Sequence, residues 1–335
     1  MDNREVFIKG LSLQGIEIKT IKKISTGANS STYIIGDNQN KWILKCYPLE
    51  IHSNRNRLLN ELKFLKFLQD NELQSVPIPV AWDEEKNWML MNYIKGESVN
   101  SATQSSCQAL IEFILRLQSL KDKPNSILIG MGSEAFLSIN NHFSSLENKI
   151  NFIHQKLIRK SINTRTCKLL EYNLQNLQIL KLKYKDINSD EDLDKEIKLN
   201  DLILSQSDVG CHNMIKANNK YYFIDFEYAG WDDPCKLISD LILQPDHGIP
   251  LRYMNIIKQL FDNRFISFDP STRLPLMLEL CRINWISIII KSLLREPCPY
   301  SCDYIQNKVE SYSIESRSII IDFNYYFGFN NSFSN

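Results

Sequence analysis

The sequence lacks the features that mark several large classes of protein. Its 39 basic and 39 acidic residues cancel, and no long basic tract occurs, so charge gives no support for a nucleic-acid partner or an anionic membrane surface. No uncharged apolar run reaches the roughly 18 residues that suggest a membrane span. The first ten residues, MDNREVFIKG, lack the apolar segment of a secretion signal. We therefore expect a cytoplasmic protein with no nucleic-acid and no membrane partner.

A cysteine framework is also absent. Eight cysteines are scattered along 335 residues, only Cys298 and Cys302 lie close together, and no His/Cys pair completes a zinc spacing. Without a secretion signal, these cysteines are expected to be reduced thiols. The length is sufficient for two domains, or for one large two-lobed unit with a substantial core. Nothing in the pattern indicates an oligomeric state.

Glycine is sparse, and the sequence has no glycine-rich pattern of the kind that binds phosphate. The chain has 11 glycines and no Gly-x-Gly-x-x-Gly pattern. Two strand-like runs within residues 21–36 nonetheless flank a turn of small residues from Thr26 to Ser31. Small residues let backbone N–H groups approach phosphate oxygens, as in the glycine-rich loops of kinases. In isolation an ordinary hairpin loop explains this segment better, because Gly27 is its only glycine.

What the sequence does contain is a group of reactive side chains within residues 202–240. Asp208 is followed five residues later by Asn213, and Asp225 lies inside the apolar run YYFIDF. A lone Asp or Asn is most often a turn former or a helix cap. A carboxylate beside a buried strand, however, is rare unless it is paired or bound to a metal. Together the three residues favour a chemical role, and hard oxygen ligands of this kind suit Mg²⁺.

Two short apolar runs, at residues 202–204 and 221–224, predict strands on either side of this polar segment, with a turn at residues 217–220. The acidic residues then lie at strand ends. An Asp, an Asn five residues later and a second Asp at the end of the next strand form the layout that phosphoryl transfer in the kinase superfamily requires.

The first 95 residues predict strands, turns and one helix. The strand KWILKCY carries Lys45, and a helix at about residues 55–69 carries Glu61. A strand lysine that contacts nucleotide phosphates, held by a helix glutamate, is the pairing found in kinases. Taken singly, Lys45 is explained as well by an edge-strand charge, and Glu61 by a solvent-exposed helix residue.

The strand NWMLMNY, at residues 87–93, runs into a connector that contains Gly96. Such a strand end fits a hinge whose exposed backbone groups read the edge of adenine. From Ser101 onward the pattern is mainly helical, and we predict helix to about Val309. The aromatic tail beyond it shows no usable periodicity.

These segments resemble the aminoglycoside phosphotransferase and choline kinase-like small-molecule kinases, which have a protein kinase-like fold. The likeness covers about two-thirds of the chain and rests on LILSQSDVGCHNMI, YYFIDFEYAG and WDDP, and on WILKCY, Glu61 and WMLMNYIKGE nearer the N-terminus. The resemblance implies an α+β, bilobal fold. A small N-lobe of antiparallel sheet plus one helix would occupy residues 1–95, and a larger, mostly helical C-lobe residues 96–335.

The resemblance also implies a role for each residue. Asp208 would be the catalytic base, Asn213 and Asp225 would bind Mg²⁺, and Lys45, held by Glu61, would contact the phosphates of ATP or GTP. Further nucleotide contacts are expected from Gly27, Asn29, Ser30, Met91 and Tyr93. The acceptor would be a hydroxyl group of a small molecule such as a sugar, an amino sugar, an amino alcohol or an aminoglycoside.

The sequence departs from the family pattern in the catalytic loop. Gln206 stands where relatives carry a His two residues before the base, and the Cys211-His212 pair replaces a His-Pro-Gly type sequence. These departures motivate an alternative, a nucleotide-binding pseudokinase or scaffold without turnover. Retention of Asp208 and the other predicted site residues argues against it. A protein kinase is disfavoured, because no Ala-Pro-Glu activation segment follows Asp225.

Overall fold

The computed structural model describes residues 18–26, 30–37, 39–48, 56–162, 164–264, 266, 268–295, 298–330 and 333. The chain forms two compact units, each discontinuous in sequence. The first unit comprises Met1–Val99, Asp122–Gly130 and His212–Gly230; the second comprises Asn100–Lys121, Met131–Cys211 and Trp231–Asn335. Two later segments therefore join the N-terminal residues in the first unit.

A five-stranded antiparallel sheet, in the order β1-β2-β3-β5-β4, dominates the first unit. Its strands are β1 (Thr20–Thr26), β2 (Ser31–Gly36), β3 (Lys41–Cys46), β4 (Pro79–Asp83) and β5 (Trp88–Asn92). Alternating side chains of β2 and β3 point into one core, which contains Tyr33, Ile35 and Leu44. This alternation is what fixes Lys45, next to Leu44, on the opposite face of β3.

Helix α1 (Arg57–Asp70) follows β3 in the described part of the chain. Asn56 caps it, accepting the backbone N–H of Leu59 at 3.0 Å, which satisfies one of the free donors at a helix start. The helix buries a broad stripe that includes Leu58, Leu62 and Leu65, and Glu61 lies in that stripe at 1% exposure. The predicted helix is therefore present, with its glutamate turned inward.

A second, three-stranded antiparallel sheet in the first unit has the order β6-β8-β9. The strands are β6 (Glu97–Ser98), β8 (Met214–Ala217) and β9 (Lys220–Phe223). Asn218 and Asn219 join β8 to β9 with φ of 49° and 59°, the left-handed values that a two-residue hairpin turn needs. The turn predicted at residues 217–220 is confirmed.

The second unit is mainly helical and packs around α8. Its helices are α2 (Gln104–Gln118), α3 (Ile139–Arg159), α4 (Thr164–Ile187), α5 (Asp190–Asp194), α6 (Pro234–Leu243), α7 (Met254–Asp262), α8 (Leu274–Lys291) and α9 (Cys302–Phe327), and β7 (Ile203–Ser205) pairs with β10 (Gly230–Asp232). Helix α8 is buried around most of its circumference, and α3, α4, α6 and α9 pack against it.

Helix α9 corrects one prediction. Helix was expected to about Val309, yet α9 continues to Phe327 and ends at Gly328 in the left-handed region, with φ of 70°. Its buried stripe contains Tyr312, Ser316 and Ile320, so a serine interrupts the apolar period that sequence reasoning follows. Across the described residues, no helix combines the length and apolarity needed to cross a membrane.

Candidate active site

Lys45 on β3 places its ammonium group among carboxylates of the first unit. Its Nζ lies 2.7 Å from Oε2 of Glu61, 2.6 Å from Oδ1 of Asp225 and 3.2 Å from Oε2 of Glu227. The Tyr47 hydroxyl donates to the same Glu61 oxygen at 2.7 Å. The structure thus joins the predicted lysine to the predicted glutamate, and both are buried, so neither is a solvent-exposed charge.

Burial and charge act on Lys45 in opposite directions. Burial alone would lower its pKa, but the carboxylates of Asp225 and Glu61 outweigh that effect and hold the pKa well above its usual value. Burial also raises the pKa of Glu61, against the attraction of Lys45, and raises the pKa of the Tyr47 hydroxyl. Lys45 therefore remains a cation, and Tyr47 remains a neutral donor.

Helix α1 is attached to the segment after Asp225 through backbone groups. Nδ2 of Asn60 donates to three carbonyl oxygens, those of Phe226, Glu227 and Ala229, at 3.4, 3.1 and 2.9 Å. Oε1 of Glu61 accepts the backbone N–H of Phe226 at 3.2 Å. The helix that carries Glu61 and the strand end that carries Asp225 therefore hold each other in place.

Glu227 is a site residue that sequence reasoning missed. It is 2% exposed, and Nη1 of Arg57 lies 3.3 Å from its Oε1, while Lys45 lies beside its Oε2. Within the described part of the chain, Oε2 accepts no hydrogen bond. The only signal in the sequence was a second acidic residue two positions after Asp225 in FIDFE. Because Asp225 is left-handed and Glu227 lies in a turn, no strand or helix period marks it.

Three carboxylates of this cluster are close enough to share a cation. One oxygen from each of Glu61, Asp225 and Glu227 lies within 4.8 Å of the others. The side chain of Asp225 is 38% exposed, so this carboxylate opens to solvent. Its backbone has a φ of 69°, a left-handed conformation that is costly for a residue other than glycine and recurs at functional sites.

Asn213 lies in the first unit, immediately before β8, and is buried. Its carbonyl oxygen accepts the backbone N–H of Ile224 at 3.0 Å, so Asn213 and the residue preceding Asp225 are joined across the β8–β9 pair. The predicted amide and carboxylate ligands therefore come from adjacent strand ends. Oxygen ligands of this kind fit a magnesium ion.

We call Lys45, Glu61, Asp225 and Glu227 the Lys45 cluster. A cavity of about 380 Å³ opens beside it, and the entire lining of this cavity belongs to the first unit. Lys45, Glu61 and Asp225 contribute its charged part. Its apolar part includes Ile24, Ile34, Ile43, Met91, Ile94, Ile215 and Ile224. Such a lining suits a ligand that combines a flat apolar ring with an anionic group and its counter-cation.

The predicted nucleotide contacts divide into three groups. Met91 and Tyr93 line the cavity, as the hinge expectation requires. Ser30 is described and half-buried, and it is not among the lining residues. Gly27 and Asn29 lie outside the described residues.

Asp208, the predicted base, belongs to the second unit and follows β7. Its Oδ1 accepts a hydrogen bond from Nε2 of Gln244 at 2.8 Å, and its backbone N–H donates to the carbonyl oxygen of Gln206 at 2.9 Å. Ser207, just before it, has a φ of 65°. The residue before the predicted base is therefore left-handed, and Asp225 is left-handed as well.

A second buried lysine lies near this loop. Nζ of Lys236 is 3.1 Å from Oδ2 of Asp232 and 3.0 Å from Oδ2 of Asp240, and the Ser207 hydroxyl donates to Asp232 at 3.4 Å. Burial raises the pKa of Asp232 to about 6, although Lys236 opposes that effect. We call Lys236, Asp232 and Asp240 the Lys236 cluster. It ties the loop before Asp208 to helix α6.

His142 lines the same small cavity as Lys236 and Asp240. Its Nε2 makes no hydrogen bond to any described residue and lies 4.0 Å from Oδ2 of Asp233. Burial lowers the pKa of His142 to about 4, against the attraction of Asp233. The imidazole is therefore neutral at neutral pH.

Cys211 resolves one open point of the sequence. It is 1% exposed, and its Sγ lies 3.6 Å from Oγ of Ser106 on α2. It packs the loop that follows Asp208, so the structure gives this departure from the family pattern a packing role. Neither Glu227 nor Gln244 was predicted; Gln244 carries a faint signal, because it lies four residues after Asp240 and eight after Lys236 on the same helical face.

Comparisons with known proteins bear on the family and the fold of the chain. The sequence pattern of the phosphotransferase enzyme family, APH, matches residues 20–236. The chain is similar in structure to the choline kinase LicA from Streptococcus pneumoniae, with a TM-score of 0.65 and 14% identity over 94% of this chain and 99% of that one. No curated protein sequence matches the chain significantly.

Two further solved structures are similar. One is the spectinomycin phosphotransferase APH(9)-Ia in complex with ADP and spectinomycin, with a TM-score of 0.61 and 12% identity over 92% of this chain and 94% of that one. The other is the ADP-bound aminoglycoside phosphotransferase APH(2'')-Ib, with a TM-score of 0.59 and 15% identity over 96% and 99%. At these identities the likeness is one of fold, and it confirms the predicted α+β, kinase-like fold.

Proposed function

Because the chain belongs to the phosphotransferase enzyme family, we propose that it transfers the γ-phosphoryl group of ATP or GTP to a hydroxyl group of a small molecule. The observation that carries this proposal is the Lys45 cluster, which contributes the charged lining of a cavity whose volume lies in the range of small-molecule sites. A lysine held by a buried glutamate beside an aspartate at a strand end is the arrangement on which phosphoryl transfer depends.

We assign a separate role to each residue of the candidate site. The apolar lining near Met91 and Tyr93 would receive the base of the nucleotide, and the Lys45 ammonium would contact its phosphates. Because Glu61 and Tyr47 hold Lys45 in place, its charge is positioned before the nucleotide arrives. Asp208, in the second unit, would accept or orient the proton of the acceptor hydroxyl.

Asn213 and Asp225 would hold a magnesium ion, with Glu227 beside them. Oε2 of Glu227 lies 3.2 Å from the Lys45 ammonium, and an oxygen of this carboxylate lies within 4.8 Å of one from Asp225, so Glu227 adds negative charge beside such a cation. When bound, Mg²⁺ neutralises charge on the phosphates and orients them. Catalysis in this arrangement is positioning plus electrostatic stabilisation, so the loss of a single group should cost orders of magnitude in rate.

Sugars, amino sugars, amino alcohols and aminoglycosides are all within the proposed acceptor class. The choline kinase and aminoglycoside phosphotransferases to which the chain is similar in fold act on different members of that range, as their names state. The balanced overall charge favours none of them. The acceptor is therefore a matter for experiment.

The decisive experiment measures Mg²⁺-dependent consumption of ATP and GTP over a panel of choline, ethanolamine, hexoses, hexosamines and aminoglycosides. We expect turnover with at least one acceptor, and Asp208→Asn should reduce kcat by about 10²–10⁴-fold, the usual contribution of a general base. Stabilisation of that variant by Mg·ATP against heat should persist, because Lys45 and Asp225 are intact.

The matched control is Asp186→Asn, which removes an exposed carboxylate of α4 in the same unit. It should leave kcat unchanged. Wild-type protein that is stabilised by ATP yet turns over no acceptor would instead be the nucleotide-binding scaffold without turnover. Equal rates for Asp208→Asn and wild type would refute the role of Asp208.

A further inference from the structure

The side chain of Gln244 reaches the carboxylate of Asp208. Its Nε2 donates to Oδ1 at 2.8 Å; Gln244 is 8% exposed and Asp208 is half-buried. We infer that Gln244 is a positioning residue that fixes the orientation of the Asp208 carboxylate toward the acceptor hydroxyl. This inference rests on the proposed role of Asp208 as the base.

The backbone of Gln244 is fixed at the C-terminal end of α6. Its N–H donates to the carbonyl oxygen of Asp240 at 3.2 Å, and its own carbonyl oxygen accepts the N–H groups of His247 and Gly248 at 3.3 and 3.0 Å. A Cβ at position 248 would lie 2.7 Å from the carbonyl oxygen of Ile242, so the turn needs a glycine there. The amide of Gln244 thus extends from a rigid anchor.

Two further hydrogen bonds hold this end of α6. The hydroxyl of Tyr312 on α9 donates to the carbonyl oxygen of Leu243 at 2.7 Å, and the N–H of Ile249 donates to that of Leu241 at 2.7 Å. Burial raises the pKa of Tyr312 well above its usual value, so its hydroxyl remains a donor. Capping a helix end from two directions restricts the positions that the Gln244 side chain can reach.

A primary amide suits this task because it donates a hydrogen bond without carrying a charge. An amide N–H that binds a carboxylate favours its ionised form, and a base must be ionised to accept a proton. A glutamate at this position would set two acceptors against each other, and a leucine would keep the volume but remove the donor. The side-chain type therefore matches the role.

The test compares Gln244→Leu and Gln244→Glu with the same substitutions at Gln259. Gln259 lies on α7 in the same unit, and its amide exchanges hydrogen bonds with Gln108 at 2.9 and 3.0 Å, so it is a matched, part-buried glutamine whose amide partner is Gln108. With an acceptor identified from the panel, kcat and the KM for ATP are measured for each variant, and thermal denaturation checks that each is folded.

We expect Gln244→Leu to lower kcat by about 10- to 100-fold while the KM for ATP changes by less than about twofold, because misorienting a base affects the chemical step and leaves nucleotide binding intact. Gln244→Glu should lower kcat further. Both Gln259 variants should keep kcat within about twofold of wild type. In the Asp208→Asn background, Gln244→Leu should cost little more, because the two residues act as a unit.

The outcomes separate this inference from the proposed function. Absence of wild-type turnover with every acceptor overturns both. Normal wild-type turnover with a Gln244→Leu kcat equal to that of Gln259→Leu overturns the inference alone, as does a parallel change in kcat and KM, which indicates a structural role. Should the leucine variant fail to fold, Gln244→Met, of similar length and without a donor, gives the same comparison.

Discussion

Two buried lysines, one in each unit, lie among carboxylates but differ in their surroundings. Lys45 has three carboxylate neighbours, one of which, Asp225, is 38% exposed beside a cavity of about 380 Å³. Lys236 has two, of which Asp232 is fully buried, beside a cavity of about 40 Å³. We therefore interpret the lysine of the first unit as part of a ligand site and that of the second unit as a brace for a loop. Two features distinguish the first: the exposed carboxylate of Asp225 and the additional, buried carboxylate of Glu227.

Replacing each lysine by methionine tests this contrast most severely. Lys45→Met strands three carboxylates without their cation, so we expect a loss of about 3–5 kcal/mol in the free energy of unfolding, together with loss of stabilisation by Mg·ATP. Lys236→Met should cost a similar amount of stability but retain stabilisation by Mg·ATP. Urea denaturation and thermal shift with nucleotide measure both. Equal stabilisation of the two variants by Mg·ATP would contradict the proposed difference between the two lysines.

A pH titration sharpens the comparison on the side of the Lys236 cluster. The pKa of His142 falls from 6.5 in the unfolded chain to about 4 in the fold, so its stabilising contribution is complete above pH 6.5 and is lost as the pH falls toward 4. We expect wild type to lose about 2–3 kcal/mol more than His142→Gln between pH 7 and pH 4.5.

Asp232 acts in the opposite sense over part of the same range. Its raised pKa, about 6, adds stability below pH 3.8 that is lost as the pH rises through 6. The free energy of unfolding of wild type and of His142→Gln is measured by urea denaturation at each pH. Subtracting one from the other cancels the contribution of Asp232, because both proteins contain it. Parallel pH profiles for the two proteins would show that His142 is not held neutral by burial.

Glu227→Gln gives the smallest expected effect and tests whether the additional carboxylate, that of Glu227, matters. The amide keeps the shape but removes one negative charge beside Asp225, so the apparent affinity for Mg²⁺ in ATP-dependent turnover should fall by about tenfold. Glu279→Gln is the matched control, because Glu279 is a buried glutamate paired with Arg282 at 2.8 Å in the second unit. An unchanged Mg²⁺ dependence in Glu227→Gln would exclude Glu227 from the site.

Sequence reasoning located the parts of the site that have a fixed spacing. Lys45 and Glu61 are 16 residues apart, on a strand and a helix that local patterns predict, and Asp208, Asn213 and Asp225 follow the order of a known catalytic layout. These features are local, so the sequence suffices for them. The roles that they imply remain predictions until turnover is measured.

The residues that sequence reasoning missed depend on tertiary contacts. Glu227 becomes a site residue only because Lys45 and Arg57 converge on it from other elements, and Gln244 only because the end of α6 reaches Asp208. The extent of α9 was also missed, because Ser316 is buried by helix packing although it is polar, and sequence reasoning expects buried positions to be apolar. Long-range packing, which leaves no periodic signal, decides all three.

The hydrogen bond from the Phe226 backbone to Glu61 has a consequence for measurement. This amide proton is shielded from solvent while α1 stays in place. Its rate of hydrogen–deuterium exchange therefore depends on the population of open conformations in which the helix and the strand end have separated. A nucleotide that engages Lys45 should slow that exchange. The exchange rate of a single amide proton thus reports the free energy needed to open the charged cluster in solution.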